Sequence, residues 1–97
     1  MLEQFVAAKP HDAFSRYGLA MECMNSGDNS AADEHFRVLI ESNADYVPAY
    51  LMYAQMLSKE SRNSEAREIL TTGIAAAIRK GDGHARSEME SLLTQIE

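Results

Sequence analysis

Apolar side chains recur along this chain at intervals of three and four residues, the period of one face of an α-helix, and alternate almost nowhere. Five helices follow from that pattern. Residues 12–26 carry Leu19, Ala20 and Cys23 on one face and Phe14, Tyr17, Met21 and Met24 on another. Asn25-Ser26-Gly27-Asp28 is turn chemistry and ends the first helix. A second starts at about Ser30, with Ala32, Phe36, Leu39 and Ile40 at core spacing, and stops at Asn43-Ala44-Asp45. Pro48 suits the first turn of a third helix, where no N–H donor is needed. That helix runs through Tyr50, Tyr53, Ala54 and Leu57, and Lys59 to Asn63 is the next break. A fourth spans about Ser64–Lys80, with Ala66, Leu70, Ile74 and Ala77 inward, and Arg79 and Lys80 complement its C-terminal dipole. Gly81-Asp82-Gly83 is a helix stop followed by an N-cap at Asp82. The last helix, about 84–96, turns Ala85, Met89, Leu92 and Ile96 inward and Glu88, Glu90, Thr94 and Gln95 outward.

A period lies beneath these elements. Shifting the chain by 34 residues superposes two helical hairpins without a gap. Arg16 falls on Tyr50, Leu19 on Tyr53, Ala20 on Ala54 and Cys23 on Leu57. The turns follow, Gly27 on Ser61 and Asn29 on Asn63, and so do the second helices, Ala32 on Ala66, Phe36 on Leu70 and Leu39 on Gly73. The register extends backwards, Pro10 on Ala44, Phe5 on Leu39 and Leu2 on Phe36, so residues 1–10 read as the tail of a preceding second helix.

The chain resembles the tetratricopeptide repeat family, whose helix–turn–helix unit has this period. The first repeat reads R-Y-G-L-A-M-E-C, G-D, A-x-x-x-F and the second Y-L-M-Y-A-Q-M-L, then A-x-x-x-L. Ala20, Ala54, Ala32 and Ala66 are the diagnostic positions, small because helix backbones approach closely there. Arg16 stands at a position usually aromatic, Gly73 at one usually Ala, and Ala44 in place of the usual closing Pro. The Arg16 stem can still cover apolar surface while its head reaches water. The expected fold is all-α, an antiparallel helix-hairpin solenoid of about two and a half repeats with a C-terminal capping helix. As one domain it divides into a partial helix (1–10), repeat 1 (12–45), repeat 2 (46–80) and the cap (82–97).

Composition and charge narrow the function classes. The chain has 97 residues, 45% of them hydrophobic and 25% charged, the values of a soluble globular protein with a modest core. Nine Lys+Arg against fifteen Asp+Glu give −6, with three basic and eight acidic side chains in residues 1–50. No basic stripe is available to displace counterions from phosphates, so nucleic acid and anionic membrane are disfavoured as partners. No apolar run reaches the length of a transmembrane span, and residues 1–8 lack the pattern of a signal peptide. A cytoplasmic protein is expected.

Candidate chemistry gives way to structural roles. Cys23 is the single cysteine, which excludes an internal disulfide and a cysteine-based zinc site. Its equivalence to Leu57 makes it a small buried apolar side chain rather than a nucleophile. His35 with Asp33 and Glu34, or His11 with Asp12, are neighbours that do not share a helix face. His84 opens the last helix, and none of the three histidines shows a metal-ligand pattern. No G-x-S-x-G marks a nucleophile, and Gly81-Asp82-Gly83-His84 lacks the spacing of a phosphate-binding loop. Asp33, Glu34, Glu65 and Glu68 sit near helix starts, where negative charge suits the dipole. The expectation is a non-enzymatic protein with no metal and no cofactor.

One surface invites a partner. The resemblance implies that the first helix of each repeat lines a concave groove, here Phe14, Tyr17, Met21 and Met24, then Leu51, Gln55 and Ser58. Methionine and aromatic side chains make adaptable contacts to a peptide or partner helix. The alternative use of the Phe14–Met24 stripe is packing against Leu2–Val6 or a neighbouring second helix. The family's carboxylate clamp of Lys, Asn and Arg is not available, since the corresponding positions hold Tyr17, Met21 and Met52. The first functional expectation is a protein–protein interaction scaffold. The second is a self-associating module, since about three repeats are normally needed for stability and Leu2, Phe5 and Val6 could face a second copy.

Overall fold

The computed structural model describes residues 12–96. They form five helices, α1 (Ala13–Asn25), α2 (Asn29–Ser42), α3 (Val47–Lys59), α4 (Asn63–Lys80) and α5 (Gly83–Ile96), with no strand among the described residues. The all-α hairpin architecture read from the 34-residue period is the one observed. The expected helix over residues 1–10, with Leu2, Phe5 and Val6, lies outside the described residues. Contacts divide the chain into two compact units, the first ending at Ala44 and the second beginning at Asp45.

In the first unit α1 packs on α2. Ala20 and Ala32 have no exposed surface and leave room for the two helix backbones to approach, while Leu19, Phe36 and Leu39 complete the core. Ser15 is the buried polar residue, and its hydroxyl donates to Asp12 Oδ2 at 2.8 Å, so the start of α1 is internally satisfied. Arg16 is half-buried and places Nη1 3.0 Å from His35 Nδ1 across the hairpin, so its head is held by a side chain of α2.

One expectation in this unit is corrected. Cys23 was expected to be buried like its equivalent Leu57, but it is half-exposed whereas Leu57 has no exposed surface. Leu57 lies on α3, which packs against both α4 and α5; Cys23 lies on α1, whose described packing partner is α2. The repeat register gives the face of a helix, and the number of neighbouring helices sets how deep that face is buried.

In the second unit α4 packs on both α3 and α5, and α3 and α5 also touch. Ala54 and Ala66 are fully buried, matching Ala20 and Ala32 one period earlier. Tyr50, Tyr53, Met56, Leu57, Leu70 and Met89 supply the bulk of the core. Ile74, expected inward, is only half-buried, and its neighbours Gly73, Ala76 and Ala77 take the interior positions of α4. On α5 only Met89 is fully buried; Ala85, Leu92 and Ile96 lie half-buried at the edge.

Gly73 explains how this core closes. A Cβ there would stand 2.5 Å from Tyr50 Cβ, 2.7 Å from Met89 Sδ and 2.9 Å from Tyr50 Cγ. Glycine in mid-helix costs roughly 0.5–1 kcal/mol relative to alanine, so its presence is a trade for close packing. The equivalent pair one period earlier is Arg16 and Leu39, two long side chains, so the glycine–tyrosine fit belongs to the second repeat.

The three helix ends that turn back within a unit share one geometry. Gly27, Ser61 and Gly81 all have positive φ, at 87°, 62° and 70°. In each, the next residue's N–H returns to the carbonyl five residues back: Asp28 to Cys23, Arg62 to Leu57, and Asp82 to Ala77, at 2.9 Å throughout. This is a Schellman closure, which favours glycine because a left-handed residue with a Cβ is strained. After two of these turns an aspartate caps the next helix, with Asp28 Oδ1 accepting from the Ala31 N–H at 3.1 Å and Asp82 Oδ1 from the Ala85 N–H at 3.0 Å. Arg62 takes that place before α4 and makes no side-chain cap; it pairs instead with Glu60 and Glu65.

Candidate functional site

A cleft of about 370 Å³ opens between α3 and α5 inside the second unit. Leu51 and Gln55, successive turns of α3, form one wall; His84, Ser87, Glu88, Ser91, Leu92 and Gln95 form the other. The α5 residues recur at three- and four-residue spacing, so one side of that helix faces the cleft along its whole length. The α5 wall is held in place by Met89, buried against Gly73, and by the Asp82 cap at the helix start.

The lining is mixed. Leu51 and Leu92 give apolar surface, the two glutamines and two serines give hydrogen-bonding groups, and Glu88 is the one carboxylate among the described residues. Among the described residues no Lys or Arg lines the cleft. His84 Nε2 meets the Glu88 carboxylate one turn along α5, a pair whose histidine side chain is 87% exposed. Amides and hydroxyls beside leucine side chains are the equipment for holding a polypeptide, whose backbone needs donors and acceptors and whose side chains need apolar seats.

Tyr50 lies beneath α4, next to the Asp45–Arg79 pair. Arg79 Nε and Nη2 both donate to Asp45 Oδ1, at 3.0 and 2.8 Å. Burial raises the Tyr50 hydroxyl above its ordinary value of 10.0; Arg79 works against that rise and Asp45 adds to it. Among the described residues no three His, Cys, Asp or Glu side chains gather to hold a metal ion. None of the described helices is long and apolar enough to cross a membrane.

The residues expected to form a groove fall in different places. Leu51 and Gln55 stand in the cleft wall; Ser58, half-buried on α3, is not part of it. Phe14, Tyr17, Met21 and Met24 lie on α1 of the first unit, where Phe14 is 74% exposed and the other three are half-buried. The α5 wall is not apparent in the sequence, where this helix has the pattern of a cap with Glu88 and Gln95 outward. The spacing of His84, Glu88, Ser91 and Gln95 was the available signal, a polar stripe beside an apolar one.

Relatives point the same way. A TPR repeat-containing protein of Pseudomonas aeruginosa is 26% identical over 96 residues, which cover 99% of this chain and 91% of that protein. The crystal structure of a tetratricopeptide repeat domain protein from Salinibacter ruber is 28% identical, with a TM-score of 0.82 over 88% of this chain and 94% of that one. The solution structure of a tetratricopeptide repeat domain protein from the same organism is 29% identical, with a TM-score of 0.86 over 92% and 90%. A Bordetella parapertussis protein solved in solution is 23% identical with a TM-score of 0.81 over 98% and 83%, a likeness of fold alone. No protein-family model matches the chain. With hairpins in a 34-residue register, the chain has the fold of these tetratricopeptide-repeat domain proteins and is similar to them in sequence. Its fold is that of a protein–protein interaction module.

Proposed function

We propose that this protein is a non-enzymatic scaffold that binds a peptide or partner helix, with the α3–α5 cleft as the seat of recognition. The observation that carries the reading is the cleft wall itself, Leu51 and Leu92 flanked by Gln55, Ser87, Ser91 and Gln95. The α1 stripe of Phe14, Tyr17, Met21 and Met24 is assigned to partner contact as well, and Ser58 to the margin of the α3 surface. The ligand is a polypeptide; the acidic balance of −6 argues against nucleic acid and anionic membrane. A chain with one cysteine needs no oxidising compartment to complete its fold, which suits the cytoplasm.

Peptides selected by display on the immobilised protein test the site. Titrated into isotopically labelled protein, they should shift the amide resonances of Leu51, Gln55 and residues 87–95, and Leu92→Asp should abolish those shifts. Shifts confined to other surfaces, or unchanged in Leu92→Asp, would refute the assignment.

A second reading, self-association, is favoured by one observation, the 74% exposure of Phe14 on an apolar stripe. Sedimentation velocity over a range of concentration distinguishes the two: a dimer lost in Phe14→Ser supports it, and a monomer throughout removes it.

A further inference from the structure

We infer that the α3–α5 cleft selects peptide segments in which a Lys or Arg stands beside an apolar side chain; this rests on the peptide-binding reading of the cleft. Three features of the wall lead there. Among the described residues Glu88 is its only carboxylate, and no Lys or Arg lines it. An acidic ligand would therefore meet a like charge with no cation in the wall to answer it, whereas a basic one finds a partner. The chain's overall charge of −6 adds a field of the same sign.

The second feature is shape and polarity. A Lys or Arg stem is apolar and its head is charged, so it can lie along Leu51 or Leu92 while the head reaches Glu88. The neighbouring apolar side chain takes the other leucine, and Gln55, Ser87, Ser91 and Gln95 supply hydrogen bonds to the peptide backbone.

The third feature is the present partner of Glu88. His84 holds that carboxylate from a side chain 87% exposed, and an exposed pair is weak and readily exchanged. A ligand cation displaces the imidazole at little cost. His84 thus competes with the ligand for Glu88, and its removal strengthens binding.

The test uses the full chain and three synthetic capped peptides that differ only in repeated Leu-Lys, Leu-Gln or Leu-Glu pairs within one Gly-Ser frame. Resonance shifts of residues 84–95 give the affinities. The Leu-Lys peptide should bind about two- to fivefold more tightly than Leu-Gln, and Leu-Glu more weakly still. Glu88→Gln should erase the difference between Leu-Lys and Leu-Gln, and His84→Ala should widen it. Salt should narrow it, because the screening length falls from about 10 Å at 0.1 M to about 3 Å at 1 M. Equal binding of all three peptides at the cleft overturns the charge preference and leaves the peptide-binding reading standing. Preference retained in Glu88→Gln overturns the role of that carboxylate. Absence of shifts at the cleft with every peptide overturns both. Circular dichroism of each variant confirms that helix content is kept, since Glu88 and His84 are exposed and outside the core.

Discussion

Gly73→Ala sets two well-known effects against each other and lets the structure decide the sign. Intrinsic propensity favours alanine by about 1 kcal/mol in a helix interior. Packing opposes it. The new methyl would stand 2.5 Å from Tyr50 Cβ, 2.7 Å from Met89 Sδ and 2.9 Å from Tyr50 Cγ, where carbon–carbon contacts prefer about 3.5–4.0 Å. Met89 can swing its thioether aside, since its side chain has three rotatable bonds. Tyr50 Cβ has no such freedom: it is bonded to the α3 backbone, and moving it by about 1 Å means moving α3 away from α4. Overpacking of this kind costs about 1–3 kcal/mol, and more where the backbone must shift. With the propensity gain subtracted, the net loss lies within about 0–2 kcal/mol, and the rigid Tyr50 Cβ puts it in the upper half of that range.

Urea denaturation followed by circular dichroism measures it, with thermal melts expected to fall by roughly 4–8 °C per kcal/mol for a chain of this size. Gly83→Ala is the control, because a Cβ there meets nothing within 4 Å and Gly83 lies at the first position of α5. It should be neutral or mildly stabilising. Adding Met89→Ala to Gly73→Ala should relieve the sulfur contact but not the contact with Tyr50 Cβ, so the double variant should not return to wild-type stability. A Gly73→Ala protein as stable as the parent would refute the close approach of α3 and α4 at Tyr50.

Other changes test other parts of the same reasoning. Ser61→Gly should stabilise the protein by about 1 kcal/mol, because Ser61 holds a φ of 62° where Gly27 and Gly81 occupy the same turn; an unchanged urea midpoint would count against the left-handed strain. Asp82→Ala removes the side chain that accepts from the Ala85 N–H, and should cost about 1 kcal/mol, with faster amide exchange in the first turn of α5 and weaker peptide binding in the cleft that α5 walls. Tyr50 gives a pH signature. Its hydroxyl titrates higher in the folded protein than its ordinary 10.0, so the neutral form is favoured by folding; that stability is complete below about pH 10 and lost as pH rises through the folded value. Tyr50→Phe should flatten the alkaline loss of stability, read as urea midpoints against pH, whatever its effect at neutral pH.

The helices were legible because their boundaries rest on local chemistry. Gly27, Pro48, Gly81 and Asp82 each act within a turn of their own position, and the helix starts moved by no more than a residue. Burial depth was less legible. Cys23 and Leu57 share a register and differ in exposure, because depth depends on how many helices cover a face, which no single helix encodes. Gly73 looked like a loss at a position usually filled by alanine. Its reason is the Tyr50 side chain, 23 residues earlier in the chain, and a pairwise fit of that kind is invisible until both partners are placed.

The site divides along the same line. Leu51 and Gln55 were within reach of sequence reasoning because helical spacing and the repeat register pointed to that face of α3. The facing wall was not, because α5 shows an apolar edge of Ala85, Met89, Leu92 and Ile96 that a closing helix alone would explain. What separates a cap from a wall is the polar stripe beside that edge. A helix that only seals the end of a repeat array needs any solvated outer face, and long charged side chains supply it best. Next to Leu51, α5 instead carries Ser87 and Ser91 one turn apart, short side chains that leave an open cleft, with Gln95 beyond them and Glu88 paired to a histidine. Replacing Ser87 and Ser91 with Gln would preserve a solvated helix and fill the cleft without adding charge. If α5 serves only to cap, that double variant keeps both stability and partner binding; if α5 is a wall of the site, it keeps stability and loses binding.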